Sequence, residues 1–210
     1  MTVKEIKRQK KHDALIVFDN GESLLIDISA ISEMHINIGT VLDFEGIEEL
    51  KKNSEYQKAK SRALWLIDYA EQTEKGLYDK LVRAGFDKRI CAEVIKRVKH
   101  AGLINDEDYA ERYAERCSEN GISKKEAVYK LIAKGIKKET AQSAVEKADF
   151  DENSQIRMLI QKKYKSKLEK DPKNPEKVFA ALARKGFSFS AIREELKKYS
   201  ENLADEEDFY

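Results

Sequence analysis

Apolar residues return every three or four positions along most of this chain, the spacing of one face of an α-helix, and three stretches of the pattern end alike. Leu81-Val82-Arg83-Ala84-Gly85-Phe86, Leu131-Ile132-Ala133-Lys134-Gly135-Ile136 and Leu182-Ala183-Arg184-Lys185-Gly186-Phe187 each place a leucine before a glycine and an apolar residue after it. The three recur at a period of roughly 50 residues. Glycine just past a last turn takes the left-handed conformation, and the apolar residue behind it folds back onto the helix, so each segment predicts a helix stop. Recurrence at this period predicts stacked supersecondary units with an extended surface suited to binding.

Each unit resolves into three helices. In the first, residues 59–103, Ala63, Leu66, Ile67 and Ala70 make one stripe with Trp65 and Tyr69 beside it. Two further helices are expected over residues 73–84 and 88–100, the last carrying Ile90, Val94 and Val98. In the second unit, residues 104–150, Asp106 is expected to cap a helix containing Tyr109, Ala110, Tyr113 and Cys117. Ser123-Lys124-Lys125-Glu126 then has capping-box spacing, and residues 140–147 complete the triplet. In the third, residues 151–200, a basic helix over 154–170 is broken by Asp171-Pro172-Lys173-Asn174-Pro175, and helices over 176–185 and 190–199 follow. Residues 201–210 form an acidic tail, expected to fray.

Residues 1–58 do not share the repeat. Ala14–Phe18 and Ser23–Ile28 are rich in strand formers and flank Asp19-Asn20-Gly21-Glu22, where Asn-Gly suits a type I′ hairpin. A short helix over 29–35 and a brief strand over Val41–Phe44 complete an α+β extension, read equally as a packing cap or a docking surface. The expected fold is therefore mainly α: three tandem three-helix repeats in an elongated array, with a small N-terminal extension containing a β-hairpin.

Composition narrows the function. Charged residues make up 38% of the chain, yet the apolar ones keep helical spacing, which predicts a charged exterior over a folded core. No long apolar run or signal-peptide pattern occurs, so a cytoplasmic protein without membrane contact is expected. Cys91 and Cys117 read as small core residues, and His12, His35 and His100 are isolated from any ligand set. Asp106-Glu107-Asp108 lacks the alternating ligands of a calcium loop and suits a helix start. Tyr109, Tyr113 and Tyr129 sit at helical spacing and read as packing residues rather than base-stacking ones. With no phosphate-cradling loop, dinucleotide motif or activated nucleophile, neither an enzyme nor a cofactor is expected.

Charge is unevenly spread. Residues 61–150 hold 18 basic and 16 acidic side chains, residues 151–200 hold 13 and 7, and residues 201–210 hold 0 and 5. Lys162, Lys163, Lys165 and Lys167 cluster beside Tyr164, and Arg184, Lys185, Arg193, Lys197 and Lys198 follow. These are the candidate DNA- or filament-binding residues, since such cations neutralise phosphates without reading sequence. A solvated basic face is the alternative.

The run from Ala101 to Ala110, Ala-Gly-Leu-Ile-Asn-Asp-Glu-Asp-Tyr-Ala, with Arg116, Gly121-Ile122 and Leu131–Ile136, resembles the central signature of the RecX family, bacterial modulators of the RecA recombinase. The resemblance extends over three units, from about Ser61 to Tyr199. It implies a monomeric protein that binds RecA filaments on single-stranded DNA and negatively modulates their assembly and activity in recombination, repair and the SOS response. DNA would be met directly or through the filament. A stand-alone, sequence-independent DNA-binding protein remains the alternative, supported by the basic third unit.

The repeat reading makes an early prediction. Small-angle scattering should give a radius of gyration above about 17 Å, the value for a compact globule of this length. A value at or below it would refute the elongated array.

Overall fold

The computed structural model describes residues 1–168 and 174–207. The chain divides into two compact units, Met1–Ile104 and the part from Asn105 onward.

In the first unit, β1 (Val3–Arg8), β2 (Asp13–Phe18) and β3 (Ser23–Asp27) form an antiparallel sheet in the order β1-β2-β3. The basic N-terminal stretch thus supplies a strand that its charges concealed. Its register also shifts between Val3 and Glu5, which interrupts the alternation that would have marked it. The β2–β3 hairpin does not use a type I′ turn. Only Gly21 has positive φ (88°), its amide donates to the Phe18 carbonyl at 3.1 Å, and the Phe18 amide donates to Glu22. Asn20 spends its side chain accepting the Glu22 amide instead. The single left-handed glycine after the turn gives the longer, bulged form of hairpin.

Helix α1 (Ile28–Glu33) follows β3 directly, capped by Asp27. Val41–Phe44 is not a strand: Thr2 and Val41 make an isolated bridge, Asp43 caps the next helix, and Phe44 begins it. That helix, α2 (Phe44–Tyr69), runs unbroken for 26 residues. Its first half buries Ile47 and Leu50 against Ile16, Phe18, Ile26 and Ala30. Its second half buries Ala59, Ala63 and Leu66 against α3 (Glu74–Arg83) and α4 (Lys88–His100), where Leu77, Leu81, Ile90, Val94 and Val98 complete a separate core. Ala70, expected on the stripe, is the exposed extended residue that ends α2.

The second unit contains α5 (Asp106–Glu119), α6 (Lys124–Ala133) and α7 (Lys138–Lys147), packed around Tyr109, Ala110, Cys117, Leu131 and Val145. The cap of α5 is Asn105, one residue before the expected Asp106. Its side-chain oxygen accepts the Glu107 amide at 2.9 Å, which places Asp106, Glu107 and Asp108 in the first turn where their charge opposes the helix dipole. Ser123 caps α6, but the box is one-sided: Ser123 Oγ accepts the Glu126 amide, while the Glu126 carboxylate turns to Lys130 at 2.9 Å.

The long helix expected over 154–170 is interrupted. Helix α8 (Glu152–Leu159), capped by Asp151, passes into a π turn at Ile160–Tyr164 and then α9 (Lys165–Leu168). Helices α10 (Asn174–Arg184) and α11 (Phe189–Glu207) complete the triplet around Ile156, Ile160, Val178, Leu182, Phe187 and Ile192. Asn174 and Pro175 of the expected break fall in the first turn of α10, where a missing amide donor costs nothing. Residues 169–173, which hold the end of the expected basic helix and part of its break, and 208–210 of the tail lie outside the described residues, and the expected frayed tail is helical as far as Glu207.

All three repeated glycines are left-handed, with φ of 95°, 94° and 90° at Gly85, Gly135 and Gly186. Gly186 is also crowded, since an added Cβ would lie 3.0 Å from Ser123 Oγ and from Lys125 Cβ, whereas Gly85 faces open space. Gly85→Ala should therefore cost the first unit about 1–2 kcal/mol of left-handed strain. Gly186→Ala should cost the second about 1 kcal/mol more than that, from overpacking. Chemical denaturation followed by hydrogen exchange in each unit checks the difference.

Candidate nucleic-acid interface

The cations expected to meet phosphate do not form one patch. Lys162 and Lys163 sit on the π turn and Lys165 and Lys167 on α9, all exposed. Lys167 Nζ lies 6.0 Å from the Tyr164 ring centre. Among the described residues, the side chains of Lys162 and Lys163 have no hydrogen-bond or ion-pair partner. A π turn closes i to i+5 bonds and widens the helix locally, a form common at functional sites. No local sequence signal marks it.

Arg184 and Lys185 occupy the far end of this three-helix group. The amide and hydroxyl of Ser188 both donate to the Glu152 carboxylate, at 2.6 and 2.7 Å, which ties the α10–α11 turn to the start of α8. Lys162 follows Glu152 along the helix by about 15 Å at the usual helical rise. Arg184 Nε donates to its own Ala180 carbonyl, and the Lys185 carbonyl accepts from Ser123 Oγ at 2.5 Å.

The cations of α11 are largely neutralised. Lys198 pairs with Glu194 at 2.6 Å and Glu195 at 3.2 Å, and Lys197 lies 3.5 Å from Glu201. Hydrogen bonds from Lys198 hold the Glu194 carboxyl below its usual pKa, and Glu194 and Glu195 raise that of Lys198. The side chain of Glu195 is buried and receives both Nε and Nη2 of Arg157, at 2.9 and 3.1 Å. That pair anchors α8 to α11. Arg193 lies 5.8 Å from the Phe179 ring centre. Among the candidate cations, the side chains without a partner are those of the exposed Lys162 and Lys163 on the π turn and of the half-buried Lys185 after α10.

Two aromatic features differ from expectation. Tyr109 and Tyr113 do pack, stacked at 6.0 Å with Lys134 above both rings, but Tyr129 on α6 is 73% exposed. On α2, Trp65 and Tyr69 are 51% and 78% exposed, stacked at 5.7 Å and 11°, with the Arg62 guanidinium 4.4 Å from the indole centre. The missed signal is helical phase: Trp65 stands about 100° around the helix from buried Leu66. His12, His35 and His100 are exposed, Cys91 and Cys117 are buried free thiols, and no group among the described residues could hold a metal ion. None of the described helices is long and apolar enough to cross a membrane.

Comparison with known proteins matches two family models, described as the first and third three-helix domains of RecX, to residues 59–97 and 151–196. Regulatory protein RecX of Clostridium perfringens (strain 13 / Type A) is 30% identical over 203 residues, covering 94% of this chain and 95% of that protein. The chain belongs to the RecX family. Regulatory protein RecX of Streptococcus uberis is 27% identical over 197 residues, 92% of this chain and 75% of that one. A crystal structure of regulatory protein RecX superposes with a TM-score of 0.73 at 22% identity, covering 93% of this chain and 98% of that one. RecX from Lactobacillus salivarius gives 0.58 at 25% identity over 69% and 96%. In this RecX family member the lysines of the π turn are free and those of α11 are paired.

The pairing pattern predicts unequal effects on DNA binding. Lys162→Gln with Lys163→Gln should flatten the salt dependence of single-stranded DNA binding, by up to about 0.7 in slope for each phosphate left without its cation. Lys197→Gln with Lys198→Gln should change the slope by less than half as much. Titrations at several salt concentrations decide between them, and equal slopes for both variants and wild type would make the lysines a solvated face.

Proposed function

We propose that this chain is a monomeric cytoplasmic regulator that binds RecA-type recombinase filaments on single-stranded DNA and limits their assembly and activity. The observation that carries this reading is the 30% identity, over 94% of this chain and 95% of the relative, to a protein named as a RecX regulator. Tandem units each offer a contact surface, so several weak contacts to successive protomers and to DNA add up through effective concentration. Occupying the filament changes it by mass action, without chemistry. The unpartnered Lys162 and Lys163 supply phosphate contacts that help retain the protein on the nucleoprotein surface.

Those same lysines support a second reading, a stand-alone, sequence-independent DNA-binding protein that displaces recombinase by competition. The two differ in stoichiometry. Recombinase ATP hydrolysis on single-stranded DNA should fall at protein amounts well below those needed to coat the DNA. Inhibition that begins only at saturating coverage would favour competition. With Lys162, Lys163, Lys165 and Lys167 all changed to glutamine, inhibition should decline less than binding to naked DNA, because protomer contacts remain. Parallel loss of both in a folded variant would overturn the filament reading.

A further inference from the structure

The guanidinium of Arg62, the indole of Trp65 and the phenol of Tyr69 form a ladder of planar groups up one side of α2, spaced three and four residues apart. The Arg62 guanidinium and the Tyr69 ring both lie against the indole, and the rings are nearly parallel. At 78% exposure the phenol, the last helical residue of α2, still offers a ring face to solvent. Large aromatic rings normally bury most of their area, so two held in mutual stack while open to water form a platform that awaits a planar partner.

We propose that this ladder is a nucleobase-stacking site, taking an unpaired base of single-stranded nucleic acid onto the open face of Tyr69. The site lies in the first unit and recognises bases, so it goes beyond the phosphate contacts assigned to Lys162 and Lys163. Charge favours this occupant. At 100° per residue Lys60 stands on the far side of α2 from Trp65, and Lys58, on the ladder's side, is committed to Asp13 at 3.0 Å. Arg62 is therefore the cation at the head of the ladder, about 9 Å along the helix from Asp68, and it suits the phosphate that accompanies a stacked base. A protein hot spot would instead be ringed by apolar contacts that exclude water. Here Ser61 and Asp68, which flank the ladder on its solvent side, are polar and exposed. Every base has a π-face, so the contact is tolerant of sequence, while a duplex, whose bases are already stacked on one another, has none to offer.

Trp65 is the chain's single tryptophan, so its fluorescence reports on the ladder directly. The full-length protein is titrated with oligothymidylate, with an abasic deoxyribose-phosphate oligomer of equal charge, and with duplex DNA. The expected result is saturable quenching of Trp65 by oligothymidylate and little by the other two. Tyr69→Ala should weaken oligothymidylate binding by about tenfold. Binding of the abasic oligomer should be unchanged, and Tyr129→Ala, an exposed aromatic of the second unit, should leave both as in wild type. Circular dichroism verifies that each variant folds. Equal affinity for thymidylate and abasic oligomers, or unchanged thymidylate binding in Tyr69→Ala, would overturn the proposal. If Tyr69→Ala binds oligothymidylate normally yet no longer inhibits recombinase, the ladder contacts protein instead. If quenching follows the expected pattern but the wild type does not inhibit recombinase, the stacking site stands and the filament reading fails.

Discussion

The chain depends most on one paired backbone contact, made at each of the three repeated glycines and at two other helix ends. At each repeated glycine the amide of the following residue reaches back to the buried leucine's carbonyl: Phe86 to Leu81 at 3.4 Å, Ile136 to Leu131 at 3.1 Å and Phe187 to Leu182 at 3.4 Å. The glycine amide donates one residue later along the helix, to Val82, Ile132 and Ala183. These two bonds satisfy carbonyls that the helix end would leave orphaned, and they swing the apolar residue back over the turn. Leu81, Leu131 and Leu182 are fully buried, and Ile136 and Phe187 nearly so. The same geometry closes α4 at Gly102–Leu103 and α5 at Gly121–Ile122. A short chain can therefore make abrupt turns without spending a core on its loops.

Within the second unit, the ends of helices also join the repeats. Gln155, buried on α8, donates to the Ser118 carbonyl at 2.7 Å and more weakly to Ile122 at 3.4 Å, which supplies the last turn of α5 with partners. Gly121 lies so near that an added Cβ would meet Met158 Cε at 2.8 Å. Ser123 caps α6 and at the same time donates to Lys185 in the turn after α10. Capping groups thus do two jobs, finishing one helix while docking another. The cost of leaving such buried groups unpaired makes that junction specific as well as stable.

The helix stops were legible in the sequence because a left-handed glycine and its apolar follower are local chemistry. So were α3, α4 and the buried faces of α5, where three-residue and four-residue spacing was unbroken. Features decided by distant partners were not. Strand β1 is held by β2 and by loop atoms such as the Thr40 carbonyl, which accepts the Val3 amide at 2.9 Å, and its own Lys-Glu-Ile-Lys run argues against a strand. For the candidate interface, the set of cations could be read, but their availability could not. Arg157 finds Glu195 across 38 residues, whereas the Lys198–Glu194 pair lies within one turn of helix. Trp65 and Tyr69 were visible as aromatics near a stripe, and only the packed helix showed which side of it they occupy.

Helix α2 has a further consequence. One rod supplies residues to the sheet core through Leu50 and to the three-helix core through Ala63, and between them Ser54 accepts the buried Asp27 amide at 2.8 Å. Melting either end strips a wall from its own core and frays the rod on which the other core rests. Cooperative openings of this kind share one exchange rate. The amides around Ser54 and Gln57 would then exchange as slowly as those of the two cores, although they lie at neither core's centre. The seam is as strong as what it joins.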